Sequence, residues 1–264
     1  MKKYFVIGNP IDHSLSPKLH NHWLTENNIK AVYDRKKINE GDLQSIISQV
    51  KEKKINGINV TVPFKKTVIP YLDQLSPEAE QTQSVNTIIL SNDNLVGHNT
   101  DIAGFTRAIE KLNFNIQGKK IFILGAGGVV PSIIFALKKM NVSEITISNR
   151  TKKKAEDLKV LFEGLKVIEW GKLSDFDVVI NATSIGLNNE VINLDFSKSG
   201  KNKLFYDVIY NPVETNFLKK GKDLGNMAEN GRTMFVYQAA EAFKLWHGIG
   251  PKINQETLKL LEND

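Results

Sequence analysis

Short apolar runs alternate with amphipathic segments along this chain. The runs are rich in valine and isoleucine, which is typical of strands. They predict strands at Tyr4–Gly8, Ala31–Asp34, Ile58–Val62, Val85–Leu90, Leu95–Gly97, Lys119–Leu124, Glu144–Ser148, Val178–Asn181 and Leu204–Val208. The fifth of these is predicted to pair with the fourth across a polar turn at 91–94.

The amphipathic segments predict helices after most of these strands. In 43–50, for example, the apolar residues recur at the i, i+3, i+4 and i+7 spacing of one helix face. The predicted helices are Pro17–Asn27, Leu43–Val50, a short stretch after Pro63, a segment from Asp101 to about Leu112, Ser132–Met140, Glu214–Asp223, Thr233–Trp246 and Gln255–Leu261. The alternation indicates an α/β fold with parallel sheets. We place a domain boundary at the helix that begins near Asp101.

Composition excludes several classes of protein. The 264 residues include no cysteine, so disulfides, thiolate metal sites and cysteine nucleophiles are excluded. No run approaches the ~18 apolar residues of a membrane helix. The apolar part of the amino terminus, Tyr4–Ile7, is shorter than the ~7–15 residues of a signal-peptide core. We therefore expect a cytoplasmic protein with no membrane partner.

The positive charge comes mostly from lysine and indicates either a solvated lysine-rich surface or attraction of small anionic ligands. The formal charge of +6 can attract anions, since net charge acts on association. The longest lysine run is Lys152–Lys154, and no strand resembles an RNA-binding signature, so we expect no nucleic-acid partner. His20 and His22 point to different faces of their predicted helix, and we predict no metal. The sequence leaves open whether the protein is a monomer or a homodimer.

A glycine-rich loop follows one predicted strand and opens a predicted helix. It reads Gly125-Ala126-Gly127-Gly128 followed by two valines, so valine stands at the third glycine position of the G-x-G-x-x-G pattern. Glycines let the turn close and let the backbone approach a pyrophosphate, which the free N–H groups of a helix N-terminus attract. The loop therefore predicts a dinucleotide site.

The end of the next predicted strand favours NADP over NAD. NAD-binding units usually place an acidic residue there to hold the ribose diol. This chain instead has Arg150, Thr151 and then three lysines. Arg150 can offer a planar fork of donors to a 2′-phosphate, and Thr151 and Lys154 can add a hydroxyl and a charge. Lys152 and Lys153 are expected to be the exposed face of a helix.

Four polar islands interrupt the apolar runs before the domain boundary. They are His13–Pro17, Asn59–Lys65, Val85–Thr87 and Asn99–Asp101. Together they supply hydroxyls, amides, one lysine and one carboxylate. This set suits a small, acidic, polyhydroxylated molecule.

Lys65 and Asp101 are candidates for acid–base chemistry within these islands. Reduction of a ketone needs a proton for the developing alkoxide, and a lysine held by a carboxylate can donate it or stabilise the charge. A surface lysine and a helix-capping aspartate are the alternatives. Ser14 and Ser16 would face one side of an extended segment and grip a carboxylate, or else cap the helix that follows.

A series of short motifs follows along the chain: Gly8–Pro10, His13–Pro17 with His20 and Asn21, Gly57–Lys65, Val85–Thr87, Gly97–Asp101 with Gly104, the glycine loop, Asn149–Thr151, Asn181–Ser184 with Gly186, Asp207–Pro212, Gly231 and Met234 to Gln238 and Ala239, and Phe243 with Trp246. Through these motifs and their order the chain resembles the shikimate dehydrogenases over nearly its whole length. Two departures are Val129-Val130-Pro131, where the family commonly has Ala-Ala-Arg, and Leu187, where methionine is common.

The resemblance implies an activity and a two-domain fold. The family reduces 3-dehydroshikimate to shikimate with NADPH, in the pathway to chorismate and the aromatic amino acids. A substrate-binding and catalytic domain would comprise residues 1–101, completed by C-terminal helices at about 237–264. A Rossmann-like, doubly wound NADP-binding domain would comprise residues 102–236. The active site would lie in the cleft between them.

The resemblance also implies a role for each matching position. Lys65 and Asp101 would be the catalytic pair. Substrate would be bound by Ser14 and Ser16 at its carboxylate, by Asn59, Thr61, Asn86, Asp101 and Gln238 at its hydroxyls, and by Tyr210 lining the pocket. The cofactor would be bound by Gly125, Ala126, Gly127, Gly128 and Val129 at the pyrophosphate, by Asn149, Arg150, Thr151 and Lys154 at the adenosine side, and by Thr183, Ser184, Val208 and Gly231 near the ribose or nicotinamide.

Three other functions remain open from the sequence. An NAD-using quinate/shikimate dehydrogenase would share the polar islands, but Arg150 argues against NAD. A folate-linked methylene dehydrogenase of similar shape would need an aromatic-lined slot for a pterin, and the islands contain one aromatic residue, Phe64. A non-catalytic dinucleotide-binding regulator would be expected to lack Lys65 or Asp101, and both are present.

Overall fold

The computed structural model describes residues 1–261, which form two compact units. One unit comprises Met1–Gly104 and the segment that starts at Val236, and the other comprises Phe105–Phe235. Residues 262–264, the end of the predicted substrate-binding domain, lie outside the described residues. Within residues 1–261 no helix is long and apolar enough to cross a membrane, and no three histidine or acidic side chains are grouped to hold a metal ion.

The elements alternate as the sequence predicted. The strands are β1 (Lys2–Gly8), β2 (Ala31–Lys37), β3 (Gly57–Val60), β4 (Gln74–Leu75), β5 (Thr87–Ser91), β6 (Asn94–His98), β7 (Lys120–Leu124), β8 (Glu144–Ser148), β9 (Lys166–Ile168), β10 (Val178–Asn181), β11 (Leu204–Asp207) and β12 (Met227–Glu229). The helices are α1 (Ser16–Glu26), α2 (Leu43–Lys51), α3 (Pro77–Thr82), α4 (Asp101–Glu110), α5 (Val130–Lys139), α6 (Lys152–Asp157), α7 (Asn216–Asp223), α8 (Arg232–His247) and α9 (Gln255–Lys259). The predicted α/β class is confirmed.

The first unit is built on a mixed six-stranded sheet in the order β2-β1-β3-β5-β6-β4. β1 pairs in parallel with β2 and β3, whereas β5 runs antiparallel to β3 and β6. The predicted hairpin is confirmed, because β5 and β6 pair from Thr87 and His98 to Ser91 and Asn94. The pairing of β3 with β5 places Asn59 opposite Thr87, so two polar islands meet on this sheet.

Helix α2 buries the face that its apolar spacing predicted. Four of its side chains are at most 2% exposed: Leu43, Ile46, Ile47 and Val50. They share a core with Ile7 of β1, Ile58 of β3 and Ile88 of β5. Because burial of one such side chain contributes ~1.5–3 kcal/mol, this face fixes α2 against the sheet that carries the islands.

An aromatic cluster in the same unit surrounds His20. Its ring stacks on that of Tyr33, with 4.1 Å between centroids and 3° between planes, and Trp23 and Trp246 lie at 5.7 and 5.5 Å. Its buried Nε2 has no hydrogen-bond partner within residues 1–261. Burial, together with nearby His247, lowers the pKa of His20 to about 3. The folded protein therefore holds this ring neutral at neutral pH.

We expect His20 to make the fold sensitive to acid. The pKa of His20 is 6.5 in the unfolded chain and about 3 in the folded protein, so the unfolded chain binds the proton first as the pH falls. The contribution of neutral His20 to the free energy of unfolding is therefore complete above pH 6.5 and is lost as the pH falls from 6.5 towards 3. His20→Phe keeps a stacked ring and removes the titration. Between pH 7 and pH 4 the free energy of unfolding should fall by about 3 kcal/mol less in this variant than in wild type, measured by urea denaturation. His13→Phe, at an exposed position, is the control. Equal acid sensitivity of His20→Phe and wild type would contradict the assignment.

The second unit is a parallel six-stranded sheet in the order β12-β11-β10-β7-β8-β9. Counted from β7 along the chain, this is the 3-2-1-4-5-6 order of doubly wound dinucleotide-binding folds. The order reverses between β7 and β10. In such sheets ligands bind beyond the carboxyl ends of the strands at this point. The predicted Rossmann-like arrangement is confirmed.

Several local elements differ from the predicted ones. The stretch after Pro63 forms hydrogen-bonded turns and a short 3₁₀ helix at Ile69–Tyr71, because Pro70 lacks the N–H that a continuing helix would need. Helix α4 ends at Glu110, so Leu112 lies beyond it. β4, β9 and β12 were not predicted, since each is two or three residues long at the edge of a sheet and carries no periodicity.

Candidate active site

Lys65 and Asp101 form a buried ion pair in the first unit. Lys65 follows β3 and Asp101 begins α4, and Nζ lies 2.5 Å from Oδ2. Their side chains are 10% and 7% exposed. The first turn of α4 is bonded by Asn99, whose Oδ1 accepts the N–H of Ile102 at 3.3 Å. Lys65 is therefore no surface lysine, and Asp101 is not the residue that caps the helix.

Asn86 fixes the orientation of the Asp101 carboxylate. Its Nδ2 donates to Asp101 Oδ1 at 3.0 Å and to Thr100 Oγ1 at 2.9 Å, while its Oδ1 accepts the N–H of Thr100 at 2.7 Å. Gln238 of α8 brings a further amide, with Oε1 3.4 Å from Asn86 Nδ2. Lys65 Nζ has one acceptor within residues 1–261, so two of its three donors remain for a bound molecule.

Asn59 joins the same network from β3. Its Nδ2 donates to Thr87 Oγ1 at 2.9 Å and to the Asn86 carbonyl at 3.1 Å, and its Oδ1 accepts the Tyr33 hydroxyl at 2.6 Å. Because both amide hydrogens are used, Asn59 can serve a bound hydroxyl only as an acceptor. Thr61 follows directly after β3 and is half-buried.

Tyr33 is a member of this network that the sequence analysis missed. It lies in β2, is 2% exposed, and is hydrogen-bonded to the Ser16 side chain as well as to Asn59. Burial raises its pKa well above the usual value, so the hydroxyl remains a donor. The available signal was one aromatic residue before four charged positions of the same strand.

Ser14 and Ser16 do not lie in an extended segment, and the prediction that they do is wrong. Leu15 between them has φ −87° and ψ 0°, and α1 begins at Ser16 because Pro17 favours a helical first turn. The N-cap residue is Leu15, so neither serine occupies the cap position of α1. Ser14 Oγ accepts the N–H of Ser16 at 3.4 Å. Both hydroxyls lie at a helix N-terminus, where free N–H groups favour an anion.

In the second unit the glycine loop lies where the strand order reverses. Gly125 has φ +111°, and a Cβ there would lie 2.7 Å from the Ala182 carbonyl after β10, so the turn requires glycine. Gly127 is exposed, and a Cβ on it would meet that carbonyl only at 3.9 Å. The loop therefore leaves its backbone open beside the N-terminus of α5, an arrangement that suits a pyrophosphate. The loop is completed by Ala126, Gly128 and Val129.

The segment after β8 presents two exposed cations. Arg150 and Lys154 are exposed, and neither pairs with a carboxylate in the part of the chain that the structure describes. The two lysines between them pair with neighbouring carboxylates instead. Asn149 Nδ2 donates to the Thr151 carbonyl at 2.8 Å and shapes the turn that presents Arg150. This arrangement suits a phosphate group.

The loop after β10 is tied to the end of β11. Thr183 Oγ1 donates to Asn181 Oδ1 at 2.7 Å, and Asn181 Nδ2 donates to Asp207 Oδ1 at 3.0 Å. Burial raises the pKa of Asp207 to about 6 against hydrogen bonds that lower it. Ser184, the residue after Thr183, is exposed. Asn181 and Asp207 were not chosen as site residues from the sequence, although both belong to motifs that carry the resemblance.

The turn after β11 is closed by a glycine. A Cβ on Gly231 would lie 2.0 Å from the Val208 carbonyl, so this close approach requires glycine. Tyr210 stacks on Phe235 with 4.4 Å between centroids and 23° between planes. The structure thus brings Val208, Tyr210 and Gly231 into one region of the second unit.

Three stretches of the chain match profiles of known families. Residues 6–88 match the shikimate dehydrogenase substrate binding domain, residues 107–213 match the shikimate / quinate 5-dehydrogenase family, and residues 231–254 match the shikimate 5′-dehydrogenase C-terminal domain. These stretches include the polar islands up to Thr87, the glycine loop and Gln238.

Full-length relatives agree with these matches. The shikimate dehydrogenase (NADP(+)) of Pelagibacter ubique is 53% identical over 264 residues, which cover 99% of this chain and 100% of that protein. The crystal structure of shikimate dehydrogenase from Aquifex aeolicus has 34% identity and a TM-score of 0.91, covering 100% of this chain and 98% of that one. Shikimate 5-dehydrogenase from Thermus thermophilus, solved in complex with NADP(H) and shikimate, has 30% identity and a TM-score of 0.90, covering 99% of each chain. The chain therefore belongs to the shikimate dehydrogenase family.

Proposed function

We propose that this protein reduces 3-dehydroshikimate to shikimate with NADPH, reversibly, in the pathway to chorismate and the aromatic amino acids. The observation that carries the proposal is the buried Lys65–Asp101 pair, set among amides in a chain of the shikimate dehydrogenase family. A buried lysine with free donors suits a site where negative charge develops on a carbonyl oxygen.

The chemistry divides between the cofactor and the ion pair. When bound, NADPH supplies the hydride for the carbonyl carbon of the substrate. Lys65 places a positive charge and two N–H donors at the carbonyl oxygen, where they stabilise or protonate the alkoxide. Asp101 holds Lys65 in place, and Asn86 holds the second carboxylate oxygen, so the pair keeps one orientation.

Substrate recognition is assigned to the polar residues around the pair. Ser14 and Ser16 at the start of α1 would take the carboxylate of the substrate. Asn59 would accept a hydrogen bond from a ring hydroxyl, because its amide hydrogens are already used. Thr61 and Gln238 would take the remaining hydroxyls. Tyr210 is assigned to the pocket by resemblance.

The second unit supplies the residues that would hold NADP. The open backbone at Gly127 would take the pyrophosphate, and the exposed Arg150 and Lys154 would take the 2′-phosphate. The departures from the family at the loop are compatible with this assignment, since Val130 and Pro131 are buried in the unit and leave the outer face of the loop open. The nicotinamide end would lie at Thr183, Ser184, Val208 and Gly231.

We also infer the two-domain assignment and a cytoplasmic location. Residues 1–101 with the helices from about 237 would bind substrate, and residues 102–236 would bind NADP. The separation of the described residues near Gly104 and Val236 supports this division. The apolar run Tyr4–Ile7 lies within Lys2–Gly8, an inner strand of the sheet of the first unit.

Product analysis with labelled cofactor tests the proposed reaction. The protein is incubated with 3-dehydroshikimate and NADPH carrying deuterium in place of both hydrogens at C4 of the nicotinamide. The expected product is shikimate with one deuterium on the carbon that carried the ketone, identified by mass spectrometry and NMR. Consumption of NADPH without shikimate, or shikimate without deuterium, would contradict the proposal.

A further inference from the structure

A single carboxylate ties three segments of the second unit together. Asp207 ends β11, and its side chain is completely buried. Oδ1 accepts the N–H of Ile209 and Nδ2 of Asn181, both at 3.0 Å, and Oδ2 accepts the hydroxyl of Thr215 at 2.6 Å. The end of β10, the turn after β11 and the start of α7 therefore share one acceptor group.

Asn181 extends this hydrogen-bond network into the loop after β10. Its Oδ1 accepts both the N–H and the hydroxyl of Thr183, at 3.1 and 2.7 Å. Its Nδ2 donates to the Ile185 carbonyl at 3.0 Å as well as to Asp207. The backbone of 183–185 is thus fixed by an amide that Asp207 in turn orients.

Thr215 connects the Asp207 carboxylate to helix α7. Its Oγ1 accepts the N–H of Leu218 at 3.3 Å and so caps α7, while its hydroxyl hydrogen goes to Asp207. The loop after β10 also packs on it directly, because a Cβ on Gly186 would lie 3.2 Å from Thr215 Cγ2. Loop 182–186 and the start of α7 are therefore joined in two ways, by the hydrogen bonds through Asp207 and by the contact between Gly186 and Thr215.

Burial of a carboxylate carries a large desolvation free energy. Removal of an ionised group from water is unfavourable unless hydrogen bonds compensate, and an apolar residue would pack without that cost. What a carboxylate adds is a set of acceptors for donors that come from three separate segments. A fully satisfied network of this kind specifies one arrangement of the segments it joins.

We propose that Asp207 is a positioning residue for the nicotinamide end of the cofactor site. By fixing loop 182–186 against the turn at 208–215, it sets the places of Thr183, Ser184 and Val208. Asp207 is completely buried, so it acts through these residues and not by contact with a ligand. The inference rests on the proposed function, which assigns these residues to NADP.

Asp207→Asn tests the inference, with Asp177→Asn as the matched control. Asp177 precedes β10 at the opposite end of the same sheet and accepts the N–H of Lys120 at 2.9 Å. NADPH fluorescence titration without substrate should show binding about tenfold weaker in Asp207→Asn, from the loss of one buried acceptor, and unchanged binding in Asp177→Asn. The KM for shikimate at saturating NADP should change less than the NADPH affinity in Asp207→Asn and should stay unchanged in Asp177→Asn, since all the residues assigned to the substrate except Tyr210 belong to the first unit.

Hydrogen exchange of the cofactor-free protein gives a second readout. Amides of 182–186 and 208–216 should exchange faster in Asp207→Asn than in wild type, with the other strands unchanged. If Asp207→Asn does not fold, Thr215→Val and Thr215→Ser replace it. Thr215→Val removes the hydroxyl and should weaken NADPH binding and loosen 182–186, whereas Thr215→Ser keeps the hydroxyl and should behave as wild type. A mere loss of the α7 cap would loosen α7 and leave 182–186 unchanged, which would count against the inference.

The possible outcomes separate the inference from the proposed function. Wild-type affinity for NADPH and wild-type exchange at 182–186 in Asp207→Asn would overturn the positioning role and leave the proposed function intact. Failure of the wild-type protein to bind NADPH would overturn the proposed function, and with it the role of Asp207 towards the cofactor.

Discussion

Replacement of Lys65 by alanine is expected to lower the turnover of 3-dehydroshikimate by ~10²–10⁴-fold, the range for loss of an acid–base group. The substitution removes the one cation of the buried pair and the two N–H donors that the proposed mechanism assigns to the alkoxide. NADPH affinity should change little, because the residues assigned to NADP belong to the other unit. Steady-state kcat and KM, with a separate NADPH titration, measure both effects.

Two controls accompany this prediction. Lys66→Ala removes the same charge from the next position, where the side chain is exposed, and should leave turnover unchanged. Lys65→Met keeps the apolar stem and removes the ammonium, so it should lose turnover as Lys65→Ala does without opening a cavity. Turnover of either Lys65 variant near the wild-type rate would rule out Lys65 as the residue that serves the alkoxide.

Replacement of Arg150 by alanine is expected to raise the KM for NADPH by about 10- to 100-fold and to leave the KM for NADH nearly unchanged. A hydrogen bond between charged groups contributes ~1.5–3 kcal/mol, which corresponds to this range. Arg150 is exposed and pairs with no carboxylate within residues 1–261, so its guanidinium is available to a 2′-phosphate. NADH lacks that phosphate. Initial rates with each nucleotide test the difference.

Lys153→Ala is the matched control for Arg150→Ala. It removes one positive charge from the same segment. Because Lys153 forms an ion pair with Asp157, its ammonium is already occupied and is not expected to bind the 2′-phosphate. A general electrostatic effect would weaken NADPH in both variants, whereas recognition of the 2′-phosphate would weaken it in Arg150→Ala alone. Equal weakening of NADPH and NADH by Arg150→Ala would mean that Arg150 does not read this phosphate.

The strongly periodic elements could be predicted from sequence, because their pattern is local. α2 buries the four residues that its spacing selected, and β8 and β10 have the predicted bounds. The short edge strands could not be predicted, since two or three residues carry no period and their pairing depends on a neighbour distant in the chain. The predicted helix after Pro63 is wrong because Pro70 lacks the N–H that a continuing helix would need.

In the candidate site, the identities of the residues could be predicted, but the hydrogen bonds between residues distant in the chain could not. Residue types and the resemblance selected Lys65, Asp101, Asn86 and Gln238, although these come from four different segments. The direction of each hydrogen bond could not be predicted, because Asn59 is limited to accepting only by its donations to Thr87 and to the Asn86 carbonyl. Ser14 and Ser16 were placed in the wrong local conformation, since alternation was assumed where a helix begins.

The most direct test of the central claim is the loss of NADPH absorbance with purified protein and 3-dehydroshikimate, run beside NADH and beside 3-dehydroquinate. The account predicts fast oxidation of NADPH with 3-dehydroshikimate and little or none in the other three combinations. Comparable activity with NADH or with 3-dehydroquinate would assign the protein to the broader quinate branch. No oxidation in any of the four combinations would contradict the account, despite the presence of Lys65 and Asp101.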